Sequence, residues 1–169
     1  ANAYTLNLKT ERTIVANYAE GANAEERDAF FLIRNNYKAG HDETSFTLRR
    51  PFAQINVANS DEDVAYIAEN GTIIEKSNFK VVSNIANTLN MQDGKLVDGT
   101  ETTVALTLDV IPSEEFYLDG YNYLAMNYLL VDERQLIDLE FVFTDKAGIE
   151  YERKYYQVPV QRNYRTNIL

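Results

Sequence analysis

The chain has no cysteine and almost no histidine, two residue types on which much nucleophilic and metal chemistry depends. Its 169 residues include no cysteine, no tryptophan and a single histidine, His41. The absence of cysteine excludes disulfide scaffolds, thiol nucleophiles and cysteine-ligated zinc. A lone histidine leaves little scope for imidazole-based catalysis or for a histidine metal site. Much of enzymology is therefore excluded before any pattern is considered.

Basic residues are also scarce. The chain has 16 Lys and Arg against 26 Asp and Glu, which gives a net charge of −10. Such a surface repels phosphate backbones and anionic lipids. The most apolar stretch, 124–131, is far shorter than the roughly 20 residues of a membrane-spanning helix. We therefore expect no nucleic-acid partner and no direct membrane insertion.

What the chain does contain favours β-structure. Hydrophobic residues make up 45% of it, with 12 Tyr, 8 Phe and only 3 Pro. Aromatic and β-branched residues suit a pleated, half-buried surface. The chain has no internal repeat, no low-complexity tract and no Pro/Ser-rich linker, so we expect one domain over 1–169.

Alternation of apolar and polar residues predicts the strands. The clearest are 103–111 and 136–144, and the turn residues at 145–148 join the second strand to 149–155 as a hairpin. Further strands are predicted at 4–8, 45–48, 52–57, 78–82 and 121–131. Proline has no N–H for a strand ladder, so Pro51 and Pro159 should lie at a strand start, a bulge or a sheet edge, and Pro112 should end its strand.

One helix is predicted from its capping residues. Ser60 offers an N-cap hydroxyl, and Asp61, Glu62 and Asp63 place acids in the first turn of a helix over 61–69. The same three acids could be taken for a calcium site, but they lack the spacing of a calcium-binding loop, so capping is favoured. The residues at 23–30 have two interpretations. They could begin a second helix, or they could form a turn that leads into a strand at Phe30.

Seven to nine mainly antiparallel strands of this length must cover an apolar face, so they should pack as two sheets. The sequence therefore predicts an all-β fold, a β-sandwich with one or two short helices.

No motif predicts catalysis. His41, in a polar run with Asp42 and Glu43, is interpreted as a surface imidazole rather than a ligand. The serines occupy no nucleophile elbow, and the glycines form no phosphate-binding loop. Two carboxylates from distant strands could still meet, which leaves a carboxylate-based hydrolase as a minor alternative. We predict no enzyme, no catalytic, cofactor-binding or metal-binding residue, and no cofactor.

Two further features have structural and functional interpretations. The pattern Asn70-Gly71-Thr72 matches a glycosylation acceptor, but Asn-Gly is also an ordinary helix stop, which is favoured. A set of tyrosines has two interpretations. These side chains could line a sugar-stacking surface or a protein interface, or they could simply cover strands, which is more common. The members of the set are Tyr117, Tyr121, Tyr123, Tyr128, Tyr151, Tyr155 and Tyr156.

Three motifs carry a family resemblance. They are TLRRPFAQINV at 47–57, YLAMNYLL at 123–130 and VPVQRNYRTNI at 158–168. In sequence, order and spacing they resemble the fimbrillin-like family of Gram-negative anaerobes. The shorter runs DAFF at 28–31 and ANTLN at 86–90 are similar to the same family, so the resemblance extends from about residue 26 to the end.

The resemblance implies a structural or accessory subunit of a cell-surface fimbria, or pilus, that supports adhesion. Such subunits are lipoprotein precursors built of transthyretin-like β-sandwiches, they lie on the extracellular face of the outer membrane, and they polymerise by exchanging β-strands. The implied partners are other fimbrial subunits, with host or bacterial surface ligands as a further class. It also implies that the chain is a fragment of a longer precursor. The alternative is a surface adhesin or glycan-binding module that does not polymerise.

A sandwich that lacks a strand exposes unpaired backbone groups and an apolar groove, which together can accept a donated strand. The candidates for this strand-acceptor groove are apolar residues that lie on predicted strands. They are Phe46, Leu48, Phe52, Val104, Leu106 and Phe141.

Overall fold

The computed structural model describes residues 4–18, 28–40, 45–108 and 115–169, with the backbone alone for 102–108. These ranges contain ten strands and one helix. The elements are β1 (Tyr4–Asn7), β2 (Thr13–Ala16), β3 (Phe52–Ser60), α1 (Asp61–Glu69), β4 (Ile74–Ala86), β5 (Thr88–Asn90), β6 (Glu101–Leu108), β7 (Tyr121–Leu130), β8 (Gln135–Asp145), β9 (Glu150–Val160) and β10 (Arg165–Ile168). The predicted all-β class is confirmed, with ten described strands instead of seven to nine.

The strands form three sheets, which we name by one member each. The β1 sheet has the order β1-β2-β5, the β3 sheet has the order β10-β3-β7, and the β8 sheet has the order β6-β4-β8-β9. Every pairing is antiparallel except that of β10 with β3, which is parallel. Within the described ranges, each sheet therefore ends in two edge strands.

The β3 sheet is the middle layer of the fold. All seven residues from Phe52 to Ala58 are buried, although successive side chains of a strand point to opposite faces. Val57 lines a cavity together with Phe143 of β8. Phe52, on the opposite face, lies 5.7 Å from Tyr4 of β1 between ring centroids. The β3 sheet is thus covered by the β8 sheet on one side and by the β1 sheet on the other.

Side-chain amides fix the position of β10 on β3. Arg165 Nε donates to Gln54 Oε1 over 2.8 Å, and Asn56 Nδ2 donates to Asn167 Oδ1 over 2.9 Å. Both bonds join residues that are directly paired in the parallel ladder. Because Gln54 and Asn56 are buried, a shift of β10 would leave their polar groups unpaired at a cost of about 1–3 kcal/mol each.

The predicted hairpin is confirmed as β8 and β9. Its turn is held by Asp145, whose buried carboxylate accepts hydrogen bonds from the backbone N–H groups of Ala147 and Ile149. Gly148 has a φ of +82°, which a residue with a side chain adopts only with strain. Pro159 lies on β9, an edge strand, as predicted.

The strands predicted at 4–8, 52–57, 78–82 and 121–131 are confirmed as β1, β3, β4 and β7. The strand predicted at 103–111 is confirmed over 103–108 as part of β6, and its last three residues lie outside the described ranges, as does Pro112. Pro51 directly precedes β3, as expected of a proline at a strand start.

The strand predicted at 45–48 is wrong. No residue there pairs with another strand, and only the adjacent Arg49 forms an isolated bridge, with Phe31. Phe46 and Leu48 are exposed, and Phe46 packs edge-on against Tyr37 with ring centroids 5.6 Å apart. Alternation of apolar and polar residues at 45–48 therefore does not mark a strand, because no strand pairs with this segment and no sheet buries its apolar side chains.

The helix at 61–69 is confirmed as α1. Ser60 is its N-cap, and the Ser60 hydroxyl accepts a hydrogen bond from the backbone N–H of Asp63 over 3.1 Å. Asn70 is the C-cap, and Gly71 follows with a φ of +83°. The acids thus serve the helix start, as the capping interpretation predicted. Residues 28–30 are not helical, and 23–27 lie outside the described ranges.

Candidate functional site

One edge of the β1 sheet is open. β1 pairs antiparallel with β2, with Leu6 opposite Ile14, and no described strand pairs with the other side of β1. An edge strand presents a row of backbone donors and acceptors that another strand can use. This edge is therefore suited to the addition of a strand.

An apolar groove lies beside that edge. It is a cavity of about 440 Å³. We call it the β1 groove, and it is lined by Tyr4, Leu6, Ile14, Ala29, Phe30, Phe31, Pro51 and Phe52. Phe52 is buried at its base, whereas Leu6 and Phe30 keep 56% and 51% of their surface exposed. Exposed apolar side chains gathered around a cavity are typical of an interaction site.

The local sequence explains the apolar floor of the β1 groove. Tyr4 and Leu6 lie on one face of β1 because strand side chains alternate, and Thr5 and Asn7 point the other way. The antiparallel register then places Ile14 of β2 directly beside Leu6. Three apolar side chains from two short strands thus form one continuous surface.

The opposite wall is held by an ion pair. Arg50 Nε lies 2.6 Å from Asp28 Oδ1, and Arg50 Nη2 lies 2.5 Å from Asp28 Oδ2, which is the two-pronged geometry that guanidinium and carboxylate favour. The same guanidinium lies 4.5 Å from the centroid of the Phe30 ring. This contact fixes Phe30 at the rim of the β1 groove through a cation–π interaction.

The whole fold described above lies within a match to one protein family. Residues 4–169 match a family of unknown function, DUF6562. The chain belongs to this family. The match includes every described element from β1 to β10, so both the core and the β1 groove are parts of the DUF6562 domain. No curated protein matches the chain.

The structure separates the six residues predicted for a strand-acceptor groove. Among those whose side chains are described, only Phe52 lines the β1 groove of the DUF6562 domain. Phe46 and Leu48 are exposed on the segment 45–48, and Phe141 is buried in the core on β8. Val104 and Leu106 lie on β6, an edge strand of the β8 sheet.

Sequence reasoning did not select most residues of the β1 groove. The sequence pattern marks Tyr4 and Leu6 only as alternating residues of a strand, and Phe30 only as the start of a possible strand. The alternation at 4–8 was the one available signal. It could not show that this strand would lie at an edge.

The tyrosine set does not form one surface of the DUF6562 domain. Tyr123 and Tyr128 are buried, which confirms for these two that they cover strands. Tyr117 and Tyr156 are exposed, and the remaining three are half-buried. A single sugar-stacking platform made of all seven side chains is therefore not present.

The outer face of the β8 sheet carries a network of exposed charges. Glu140 lies 3.2 Å from Lys80 and 3.6 Å from Lys154, and Lys154 lies 3.0 Å from Glu152. The hydrogen bond from Lys80 is the main cause that lowers the pKa of Glu140, and the hydrogen bond to Glu152 raises the pKa of Lys154. Exposed pairs of this kind contribute little to stability, so this face is a solvated surface.

Metal-binding clusters and membrane-spanning helices are absent from the described residues. Among the described residues, no group of three or more His, Cys, Asp or Glu side chains is arranged to hold a metal ion. In the same part of the chain, no helix has the length and apolar character needed to span a bilayer. His41, Asp42 and Glu43 lie outside the described residues.

Proposed function

We propose that the chain is a structural or accessory subunit of a cell-surface fimbria, which assembles when a β-strand of one subunit adds to an open sheet edge of another. The observation that carries this proposal is the open edge of β1 beside the apolar β1 groove. In the same proposal the fimbria lies on the extracellular face of the outer membrane, supports adhesion, and has related subunits as its partners. The subunit has no catalytic role.

The β1 groove offers the two kinds of contact that strand addition needs. Backbone groups of an incoming strand would pair with β1 and supply affinity, and alternate side chains would enter the groove and supply specificity. Fully burying a leucine or phenylalanine side chain contributes about 1.5–3 kcal/mol. Leu6 and Phe30 are already about half buried, so covering the rest of each contributes about half as much. This contribution adds to that of the backbone hydrogen bonds made by the incoming strand.

The arrangement of the resemblance motifs supports the same proposal. The motif at 47–57 contains Pro51 and Phe52 of the β1 groove and runs into β3. The motif at 123–130 lies within β7, and the motif at 158–168 ends in β10. The three motifs thus meet on the adjacent strands of the β3 sheet, against which the β1 groove is built.

Light scattering behind size-exclusion chromatography, with electron microscopy of any heavy fraction, tests assembly. We expect a series of multiples of the 19.3 kDa chain, or rods. Because each chain carries a net charge of −10, repulsion opposes contact at low salt. The assembled fraction should therefore rise between about 0.05 M and about 0.5 M sodium chloride, as the screening length falls. A strict monomer at every salt concentration would contradict the proposal.

A further inference from the structure

A second cavity opens between the β3 sheet and the β8 sheet, on the side where β9 and β10 lie. Its volume is about 340 Å³. We call it the β9 pocket and define it by six of its lining residues, Val57, Phe143, Tyr151, Arg153, Tyr155 and Ile168. It shares no lining residue with the β1 groove. Any ligand of the β9 pocket would therefore be independent of strand addition.

An arginine occupies the inward face of β9. Arg153 alternates along β9 with Tyr151 and Tyr155. The three residues are paired with buried residues of β8, which are Phe141 opposite Arg153, Phe143 opposite Tyr151 and Leu139 opposite Tyr155. Side chains of directly paired residues lie on the same face of a sheet. Arg153 thus lies on the same face of the sheet as the buried Phe141, between two tyrosines, and its side chain is exposed at the edge of the sheet.

The polar groups at this position have unused hydrogen-bonding capacity. Arg153 Nη1 donates to the backbone oxygen of Glu152 over 2.9 Å, and no carboxylate of the described residues lies within ion-pair distance of Arg153. In the same part of the chain the Tyr155 hydroxyl has no hydrogen-bond partner, whereas the Tyr151 hydroxyl is engaged with Asp145 over 3.0 Å. Burial raises the pKa of Tyr155, so its hydroxyl stays protonated and can donate.

We propose that the β9 pocket binds a small amphipathic carboxylate. The carboxylate accepts hydrogen bonds from Arg153 and Tyr155, and the apolar body lies against Val57, Phe143 and Ile168. A pocket of this size, at the lower end of the usual range for small ligands, suits an apolar body of about ten carbon atoms. Arginine and a phenol are complementary to a carboxylate because both donate and neither competes as an anion.

The net charge of the chain makes it possible to distinguish specific binding of a carboxylate from general binding of apolar molecules. With a net charge of −10, the protein attracts cations and repels anions at long range. An apolar pocket without a local charge would therefore bind decylamine, which is a cation at neutral pH, more tightly than decanoate. A preference for decanoate requires a local cation at the mouth of the pocket, and Arg153 is that cation.

Isothermal titration of the full chain with decanoate and with decylamine tests the proposal. We expect saturable binding of decanoate at one site per chain and weaker binding of decylamine. Arg153→Gln should weaken decanoate binding about tenfold, because a charge-assisted hydrogen bond at a partly exposed position is lost. The decanoate affinity of Arg153→Lys should lie between those of the unmodified chain and Arg153→Gln. Tyr155→Phe should weaken decanoate binding about threefold, because a neutral hydrogen bond contributes less than a charge-assisted one.

A control variant makes the test specific. Arg134→Gln removes the same charge from an exposed position outside the pocket and should leave the decanoate affinity unchanged. Equal or tighter binding of decylamine, or an unchanged decanoate affinity in Arg153→Gln, would overturn the proposal. If Arg153 only protects the β9 edge from aggregation, Arg153→Gln increases light scattering and leaves decanoate affinity as it was, which also counts against it.

Discussion

Leu6→Lys should weaken assembly of the chain by about 100-fold or more while leaving the fold intact. The substitution removes the apolar contact that Leu6 offers to an incoming strand and places a charge at a sheet edge, a position where lysine discourages strand pairing. Because Leu6 is exposed in the monomer, the free energy of unfolding should change by less than about 1 kcal/mol. Sedimentation velocity measures the assembly, and thermal unfolding measures the fold.

The chain offers a closely matched control for this variant. Leu136 is 50% exposed, compared with 56% for Leu6, and it also lies on a strand, β8. It does not line the β1 groove. Leu136→Lys should therefore assemble like the unmodified chain. If Leu6→Lys assembles normally, or if both variants lose assembly equally, the β1 groove is not the contact site.

Phe141→Ala should lower the free energy of unfolding by about 3–5 kcal/mol, which is the typical cost of removing a buried phenylalanine side chain. Phe141 is fully buried at the centre of an aromatic cluster. Its ring centroid lies 4.9 Å from that of Phe79, 5.8 Å from that of Phe143 and 5.8 Å from that of Tyr155. Urea denaturation followed by circular dichroism measures the loss.

Phe46→Ala is the control for this second variant. Phe46 was predicted for the same groove, but it is 43% exposed and its described ring partner is Tyr37. We expect its replacement to cost less than about 1 kcal/mol. A similar loss for both variants would mean that the core does not lie where the β3 and β8 sheets meet.

The sequence predicted the elements whose signals are local. The N-cap Ser60 and the stop at Asn70-Gly71 both lie at the ends of α1, so the helix was placed correctly. The β8–β9 hairpin was predicted for the same reason, since its turn residues and its alternating strands are adjacent in the chain. Among the long strands, β8 has the clearest signal, because apolar and polar residues alternate over most of its length.

Three short strands had no such signal. β2, β5 and β10 contain four, three and four residues, and no strand was predicted at any of them. β1 is equally short, but Tyr4, Leu6 and Leu8 alternate through it and just beyond its end. β10 reads Arg-Thr-Asn-Ile, with one apolar residue, and it is held in place by the bonds of Arg165 and Asn167 to side chains of β3. Those partners are more than 100 residues away in the sequence, so only the folded chain brings them together.

The six residues predicted for the groove are separated in the structure for a related reason. Phe52 and Phe141 satisfy the same criterion, an apolar side chain on a strand, yet one lines the β1 groove and the other is enclosed in the core. The core and the β1 groove are both lined by apolar side chains, so residue type does not distinguish them. They differ in which sheet edge stays unpaired, and strand order is a property of the whole fold that no local pattern encodes.

Hydrogen–deuterium exchange of the free and the assembled chain is the measurement that tests strand addition at β1 most directly. Backbone amides on the open side of Tyr4–Asn7 should exchange rapidly in the monomer and slowly in the assembly, because the added strand gives them hydrogen-bond partners. The edges of β6 and β9 should exchange at the same rate in both states. Protection that appears at β6 or β9 while β1 stays unchanged would contradict the proposed mode of assembly.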